Sequence, residues 1–440
     1  MGIYFGTDGI RGIANEEIGC DLATRVGKAL GYMSGGGKIL VGRDTRESGK
    51  YLALALSSGA VCCGARVVDV GVIPTGGVSF LAMSEGFDFG VQISASHNSA
   101  EYNGIKIFDK FGNKLSEQDE EKIERYIVRG IKEGKNVGSY VKNTKMSIRY
   151  VDFLTNSHRI SLKGTIVALD MANGATSRIA IKAFEKLGAK VLKTGVYKKG
   201  KNINENCGSE HIDSLAFLMK NTDADIGFAF DGDGDRVRCI EKNKEYDGDA
   251  LLYVLASFLK NNNRLKNNAV VGTVQTNGGI EKSLKKKGIG FFRAQVGDKY
   301  VSEQIVSNAL SLGGEQAGHI VLFDHLRTGD GILSALAVMQ AIKESGKPLE
   351  KLFDARLFPQ SCKNVKVTDK TAVINDRNLL EAERKIRESL SEGERILVRA
   401  SGTENKIRIL VEGENESENN RRLSLLEEAV ITADKASANV

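Results

Sequence analysis

Asp231-Gly232-Asp233-Gly234-Asp235-Arg236 places three carboxylates at alternate positions with a glycine between each pair. Glycine adopts backbone angles that a side chain forbids, so such a loop can bend until all three carboxylates converge. Converging carboxylates repel one another unless a cation lies between them. Three oxygen ligands suit Mg²⁺, which keeps coordination positions open for a phosphate oxygen. A solvated acidic turn is the plainer alternative. A calcium EF-hand is excluded twice, because Arg236 stands where that loop needs glycine and Lys242 where it needs a bidentate glutamate.

Three further clusters carry groups that could do chemistry. Ser94-Ala95-Ser96-His97-Asn98 follows an apolar run, and a serine there could accept and return a phosphoryl group. On these residues alone a turn or capping serine explains it as well. No G-x-S-x-G elbow surrounds it, which excludes an α/β-hydrolase. Arg399-Ala400-Ser401-Gly402-Thr403-Glu404, with Arg408 beyond, offers bidentate guanidiniums and hydroxyls to an anion, or is an ordinary charged turn. In Gly313-Gly314-Glu315-Gln316-Ala317-Gly318-His319, Glu315 could bind sugar hydroxyls and His319 could assist proton transfer, while a purely structural histidine stays open. Walker and G-x-G-x-x-G phosphate motifs are absent from the sequence.

The elements that must position these groups repeat one grammar: a short apolar run, a Gly-rich polar turn, then a helical stretch. KILVGRDTRESG (a strand entering a charged loop), FDFGVQISASHN, KGTIVALDMANGA, ADIGFAFDGDGD and NAVVGTVQTNGG all follow it. Nearly continuous apolar runs predict strands covered on both faces, hence several α/β layers. Ser96, Asp231 and Thr276-Asn277-Gly278-Gly279 each fall just past a strand, where open α/β sheets bind ligands. Ser116 to Gly130 reads as a helix, opened by Ser116 and Asp119 and closed on glycine. The last stretch, with strands at 394–399 and 407–411, reads as a smaller α+β domain. The expected boundaries give domains 1–150, 151–247, 248–359 and 360–440.

Composition narrows the function classes. A 440-residue chain has room for about two to four domains. Forty-nine glycines against three prolines point to tight loops, not disorder. The net charge of +6 suits anionic substrates and lacks the basic block that nucleic acid requires. Six scattered cysteines without C-x-x-C spacing read as reduced thiols. Neither a leader pattern nor a transmembrane-length apolar run is visible, so a cytoplasmic protein with no membrane partner is expected.

Taken in order, these motifs resemble the α-D-phosphohexomutase superfamily. VGRDTRESG, YNGIK, VQTNGG, VGDKY and TGDGIL extend the match along nearly the whole chain. Phe5-Gly6-Thr7-Asp8-Gly9-Ile10-Arg11-Gly12 is similar to the signature of the phosphoglucosamine mutase branch. The resemblance implies three similar α/β domains with mixed sheets and a smaller C-terminal α+β domain around a central cleft. It implies a phosphoserine at Ser96, and a Mg²⁺ shell of Ser96, Asp231, Asp233 and Asp235. Arg11, Lys106, Arg236 and His319 would surround the transfer centre, and Glu315 would bind the sugar. Arg399, Ser401, Gly402, Thr403 and Arg408 would hold the non-reacting phosphate. The implied reaction interconverts glucosamine 6-phosphate and glucosamine 1-phosphate through glucosamine 1,6-bisphosphate, on the route to UDP-N-acetylglucosamine, in a homodimer. A phosphomannomutase or phosphoglucomutase, or a metal-dependent serine phosphatase, is the alternative. Ser99, Ala400 and Asn405 stand where the family has prolines and Lys299 where it has arginine. Ala317 lacks a serine hydroxyl that contacts the sugar.

Overall fold

A computed structural model describes residues 2–6, 8–134, 136–196, 200–401 and 404–437. The apolar runs become the strands of four sheets. Phe5–Gly6 (β1), Gly9–Ile13 (β2), Lys38–Arg43 (β3), Arg66–Val72 (β4), Phe89–Ile93 (β5), Tyr102–Asp109 (β6) and Ser139–Lys142 (β7) form the first, ordered β1-β2-β6-β5-β3-β4-β7. Pairings of β3 with β4 and β5, and of β4 with β7, are parallel; β6 joins β5 and β2 antiparallel. Ile166–Asp170 (β8), Lys190–Thr194 (β9), Ile226–Phe230 (β10), Val237–Glu241 (β11) and Lys244–Tyr246 (β12) form the second, ordered β12-β11-β10-β8-β9. Ala269–Thr273 (β13), Gly290–Ala294 (β14), Leu312–Gly314 (β15) and Ile320–Leu322 (β16) form the third, ordered β14-β13-β15-β16. These three sheets are mixed. The fourth, Gln360–Lys366 (β17), Arg395–Ala400 (β18) and Lys406–Glu412 (β19), is antiparallel. Three mixed α/β layers plus a smaller α+β part is the fold class the sequence predicts.

Every residue of β10 is buried, as a strand covered on both faces requires. The chain leaves β5 into the Ser96 turn, β10 into the Asp231–Asp235 turn, and β15 into the Glu315–His319 turn. The sheets thus deliver the predicted residues at strand ends. The helix Glu117–Arg129 has Ser116 as N-cap, accepting from Asp119 N at 3.2 Å, and ends on Gly130 at φ 73°.

The chain divides into two compact units, Met1–Gln275 with Phe291–Phe353 and Thr276–Gly290 with Asp354–Val440. In the second, the helix Gly278–Lys286 is tied in where Gly278 N donates to Glu412 Oε1 at 2.7 Å and Asn277 Nδ2 to the Phe358 carbonyl at 3.0 Å. Along β19, Ile407, Ile409 and Val411 alternate into the core against Leu426 and Val430 of the helix Glu416–Ser437. Period-two alternation turns Arg408 to the other face.

In the first unit, Cys20–Met33 (α1) and Glu47–Cys62 (α2) pack backbone against backbone. A Cβ on Gly27 would lie 1.9 Å from the Leu56 carbonyl oxygen, and one on Gly59 2.1 Å from that of Thr24. Neither obstacle is a movable side chain. Gly27→Ala should therefore force the helices apart and cost about 1–3 kcal/mol, read as a lower midpoint in urea unfolding. An unchanged midpoint would mean the two helices separate freely.

Candidate functional site

Ser96 adopts the left-handed backbone region, at φ 52°, which costs a non-glycine residue roughly 1–2 kcal/mol. The surroundings enforce it. Ser96 N donates to Ser94 Oγ at 2.9 Å, and Ser94 Oγ donates to Asp44 Oδ2 at 2.6 Å. Asp44 also accepts from Arg46 Nε at 2.9 Å, with both side chains fully buried. The Arg46 guanidinium then donates to the carbonyls of Ser96 (3.0 Å), Asn98 (2.7 Å), Tyr102 (2.9 Å) and Ser99. Asn204 Nδ2 reaches the Ser96 and Asn98 carbonyls at 2.8 Å each. The stretch expected to be a charged loop is thus an internal brace, because the turn after β5 leaves backbone carbonyls that only a multi-donor side chain can satisfy.

Ser96 Oγ donates to Asp231 Oδ2 at 2.6 Å. The two glycines of the acidic loop serve different ends. A Cβ on Gly232 would fall 2.6 Å from the Ser96 carbonyl oxygen, so glycine lets the loop press against the serine turn. Gly234 has φ 73° and supplies the bend between Asp233 and Asp235. The carboxylates converge as the spacing predicts: one oxygen from each of Asp231, Asp233 and Asp235 lies within 4.8 Å of the others, and all three residues are buried.

Lys106, on β6 and 2% exposed, places Nζ 2.9 Å from Asp233, 2.9 Å from Asp235 and 3.0 Å from Asp8. Burial opposes its charge, but Asp233, Asp235 and Asp8 win and hold its pKa well above the usual lysine range. Arg11 pairs with Asp8, and Lys114 bridges Asp8 and Asp298. Burial, reinforced by Asp235 and Asp233, pushes the Asp231 carboxyl well above its ordinary value, with Arg236 and the Ser96 hydroxyl offsetting only part. For Asp235 burial acts in the same direction, but Lys106 and His319 reverse it and the pKa falls below the ordinary range. Asp233 Oδ1 and Asp235 Oδ1 are buried with no hydrogen-bond partner among the described residues. Orphaned carboxylate oxygens beside a carboxyl forced toward protonation are what a missing hard cation leaves, so the donor set fits Mg²⁺.

Arg236 follows this loop. Its N–H donates to Asp231 Oδ1 at 3.1 Å and its guanidinium to Glu210 at 2.9 Å. His319, 3% exposed, has Nε2 3.4 Å from Asp298 Oδ2. Half-buried Glu315 accepts from Gly297 N at 2.8 Å. His97 flanks the serine, and burial together with Arg236 lowers its pKa to about 4, leaving it neutral.

In the second unit, Arg399 on β18 and Arg408 on β19 are directly opposed across the antiparallel pair. Like charges in that position are destabilising, and neither arginine is ion-paired among the described residues. Arg408 Nη2 lies 3.4 Å from Ser401 Oγ, and Ser401 is buried. Two unneutralised guanidiniums beside a hydroxyl make a receptor for a dianion. Gly402 and Thr403 lie outside the described residues, as does Thr7 of the opening motif.

The structure brings Ser96, Lys106, Arg11 and the three aspartates of the sequence reading together as one cluster. It misses Asp8, Asp298 and Lys114 as its counter-charges, and Asp44, Arg46 and Asn204 as its brace. Asp8 and Arg46 stand inside quoted motifs, which was a usable signal; Asn204 carries none. Arg46→Ala would leave Asp44 buried without its counter-ion and the carbonyls of the serine turn without their donor, and should lower stability by about 3–5 kcal/mol in melts, with Arg46→Lys recovering only part. Unchanged stability would mean the serine turn holds itself.

Four family models cover the chain: Phosphoglucomutase/phosphomannomutase alpha/beta/alpha domain I at residues 2–133, domain II at 148–245, domain III at 247–358, and the C-terminal domain at 363–428. The chain is 42% identical over 428 residues to a phosphoglucosamine mutase of Shouchella clausii, covering 94% of this chain and 96% of that one. It is 43% identical over 428 residues to a phosphoglucosamine mutase of a Thermoanaerobacter species, with the same coverage. A crystal structure of a phosphoglucomutase/phosphomannomutase family protein from Burkholderia thailandensis superposes with TM-score 0.82 at 23% identity, covering 97% of each chain. The Aspergillus fumigatus N-acetylphosphoglucosamine mutase in complex with GlcNAc-6P and magnesium gives TM-score 0.67 at 17% identity, over 98% of this chain and 96% of that one. At those identities the two structures attest the fold alone. The matched models reach into every sheet described above, and the chain belongs to the phosphoglucomutase/phosphomannomutase family.

Proposed function

We propose that the protein is a cytoplasmic phosphoglucosamine mutase, interconverting glucosamine 6-phosphate and glucosamine 1-phosphate through phosphorylated Ser96. The observation that carries this reading is the Ser96 hydroxyl held 2.6 Å from the acidic loop, in a turn braced so that only Oγ is free to react. The relatives' shared name supplies the sugar.

In the first half-reaction the O1 hydroxyl of glucosamine 6-phosphate attacks phosphoserine. A P–O bond forms at O1, the bond to Ser96 Oγ breaks, and the proton lost by O1 ends on the Ser96 side. The product is glucosamine 1,6-bisphosphate. After it turns around, Ser96 Oγ attacks the 6-phosphate and glucosamine 1-phosphate departs. Lys106 and Arg11 face the transferring oxygens as fixed positive charge, Arg236 binds substrate beside them, and His319 holds the proton in transit. Asp231, Asp233 and Asp235, with an oxygen of phospho-Ser96, would hold Mg²⁺, which when bound neutralises charge on the transferring group. Glu315 is assigned the sugar hydroxyls. Arg399, Ser401, Gly402, Thr403 and Arg408 are assigned the phosphate that is not reacting, which must be accepted in either orientation. The same reading expects a homodimer.

Ser96→Ala should lose nearly all turnover, and dephosphorylated parent enzyme should be inactive until sugar bisphosphate recharges it. Phosphopeptide mass spectrometry of active enzyme should map phosphate to Ser96. Glucosamine, glucose and mannose 6-phosphates assayed side by side should rank glucosamine first, and full turnover by Ser96→Ala would end the proposal. Arg399→Ala removes one charge-assisted pair worth about 1.5–3 kcal/mol, so kcat/KM should fall roughly ten- to a hundredfold in both directions. Unchanged values in both directions would place the second phosphate elsewhere.

A further inference from the structure

We infer that Thr75 is a positioning residue for the cation, because its hydroxyl decides which oxygen of Asp233 remains to bind metal. This rests on the reading of Asp231, Asp233 and Asp235 as the Mg²⁺ site. Thr75 opens the helix Thr75–Ser84 (α3) and is completely buried. Its Oγ1 donates to Asp233 Oδ2 at 2.7 Å, and its backbone N–H donates to the Asp233 carbonyl at 2.9 Å. Lys106 Nζ takes the same Oδ2 at 2.9 Å. One oxygen therefore has two donors, while Oδ1 is buried with no partner among the described residues.

The consequence follows from carboxylate geometry. The terminal torsion of an aspartate is broad, so an untethered carboxylate presents either oxygen, or both, to a cation. Mg²⁺ demands near-ideal octahedral geometry at about 2.0–2.1 Å and tolerates such wandering poorly. Lys106 cannot supply the constraint by itself, since its ammonium is a rotatable point charge shared with Asp8 and Asp235. The threonine hydroxyl hangs from a stiff β-branched side chain at the fixed end of a ten-residue helix. Its charge-assisted bond to the ionised carboxylate is directional. The helix is seated on the loop as well, for a Cβ on Gly234 would come 3.3 Å from Pro74 Cβ. Partners of this kind, one shell behind the ligands, orient a metal's ligands and set its affinity.

The test titrates Mg²⁺ calorimetrically into metal-free, Ser96-phosphorylated full-length protein, with thermal melts of each metal-free variant as the folding control. Thr75→Val keeps the shape and removes the donor; its Mg²⁺ Kd should rise about ten- to a hundredfold with the metal-free melt little changed. Thr75→Ser keeps the donor and should restore most of the affinity, which a packing role for the threonine methyl would not produce. Should Thr75→Val fail to fold, Thr75→Cys, of similar size with a weaker donor, is read in the same way. Parent-like Mg²⁺ affinity in the variant that lacks the donor overturns the inference. If the parent itself binds no Mg²⁺, or Asp231→Asn leaves its affinity unchanged, the metal reading has failed and the inference falls with it.

Discussion

Four aspartates around one buried lysine set the terms for everything else in the first unit. Asp8, Asp233 and Asp235 all meet Lys106 Nζ at 2.9–3.0 Å, while Asp231 turns to the serine. Burial makes each charge expensive, and one ammonium cannot neutralise the set. The protein answers with a relay of opposite charges running outward, from Lys106 to Asp8, from Asp8 to Arg11 and Lys114, and from Lys114 to Asp298 beside His319. Even so the Asp231 carboxyl is driven toward protonation, whereas Asp235 stays ionised. A divalent cation would resolve that imbalance, and the same imbalance makes the loop receptive to one.

Charge convergence demands backbone convergence, and glycine alone does not deliver it. The acidic loop can touch the Ser96 carbonyl because Gly232 has no side chain, but a touching surface must itself be rigid. Ser96 is held at φ 52° by Arg46 from the turn before α2, by Ser94 from its own turn, and by Asn204 from the second sheet's connections. Strain of this order persists only where several independent contacts enforce it. Here they tie down the backbone of the residue, while Oγ keeps its bond to Asp231 and a longer contact of 3.5 Å to His97 Nδ1. A hydroxyl so fixed would lose little freedom on reaching a transition state.

How much of this was legible in the sequence depended on sequence distance. The acidic loop is contained in five residues, so spacing alone conveys convergence. The strand-end position of Ser96 follows from the apolar run before it, and the cap at Ser116 and the strands around 395–411 follow from local patterns. The brace is another matter: Asn204 and Ser96 are 108 residues apart, and Thr75 and Asp233 are 158 apart. Nothing in a single threonine after proline announces a carboxylate partner. Arg46 misleads in the opposite direction, since three charges in Arg-Asp-Thr-Arg look like surface until the carbonyls they serve are seen. Likewise no local pattern in the helix Gly278–Lys286 reveals that Asn277 is anchored to Phe358. Periodicity encodes layers; satisfaction of buried polar groups is settled only when distant segments meet.

The second unit handles charge in the reverse way. Arg399 and Arg408 are placed side by side with no carboxylate between them, and the one acidic residue in the three strands of this sheet is Glu412. Glu412 lies inside, where it binds Arg395 and the Gly278 amide. Like-charged neighbours on paired strands lower stability unless an anion offsets their repulsion. Arg399 and Arg408 are both exposed, whereas Lys106 is buried and ion-paired to Asp8, Asp233 and Asp235. On the proposed reading, a reaction that must grip one phosphate while releasing and recapturing the other would use the exposed arginine pair for the first task and the buried charge cluster for the second.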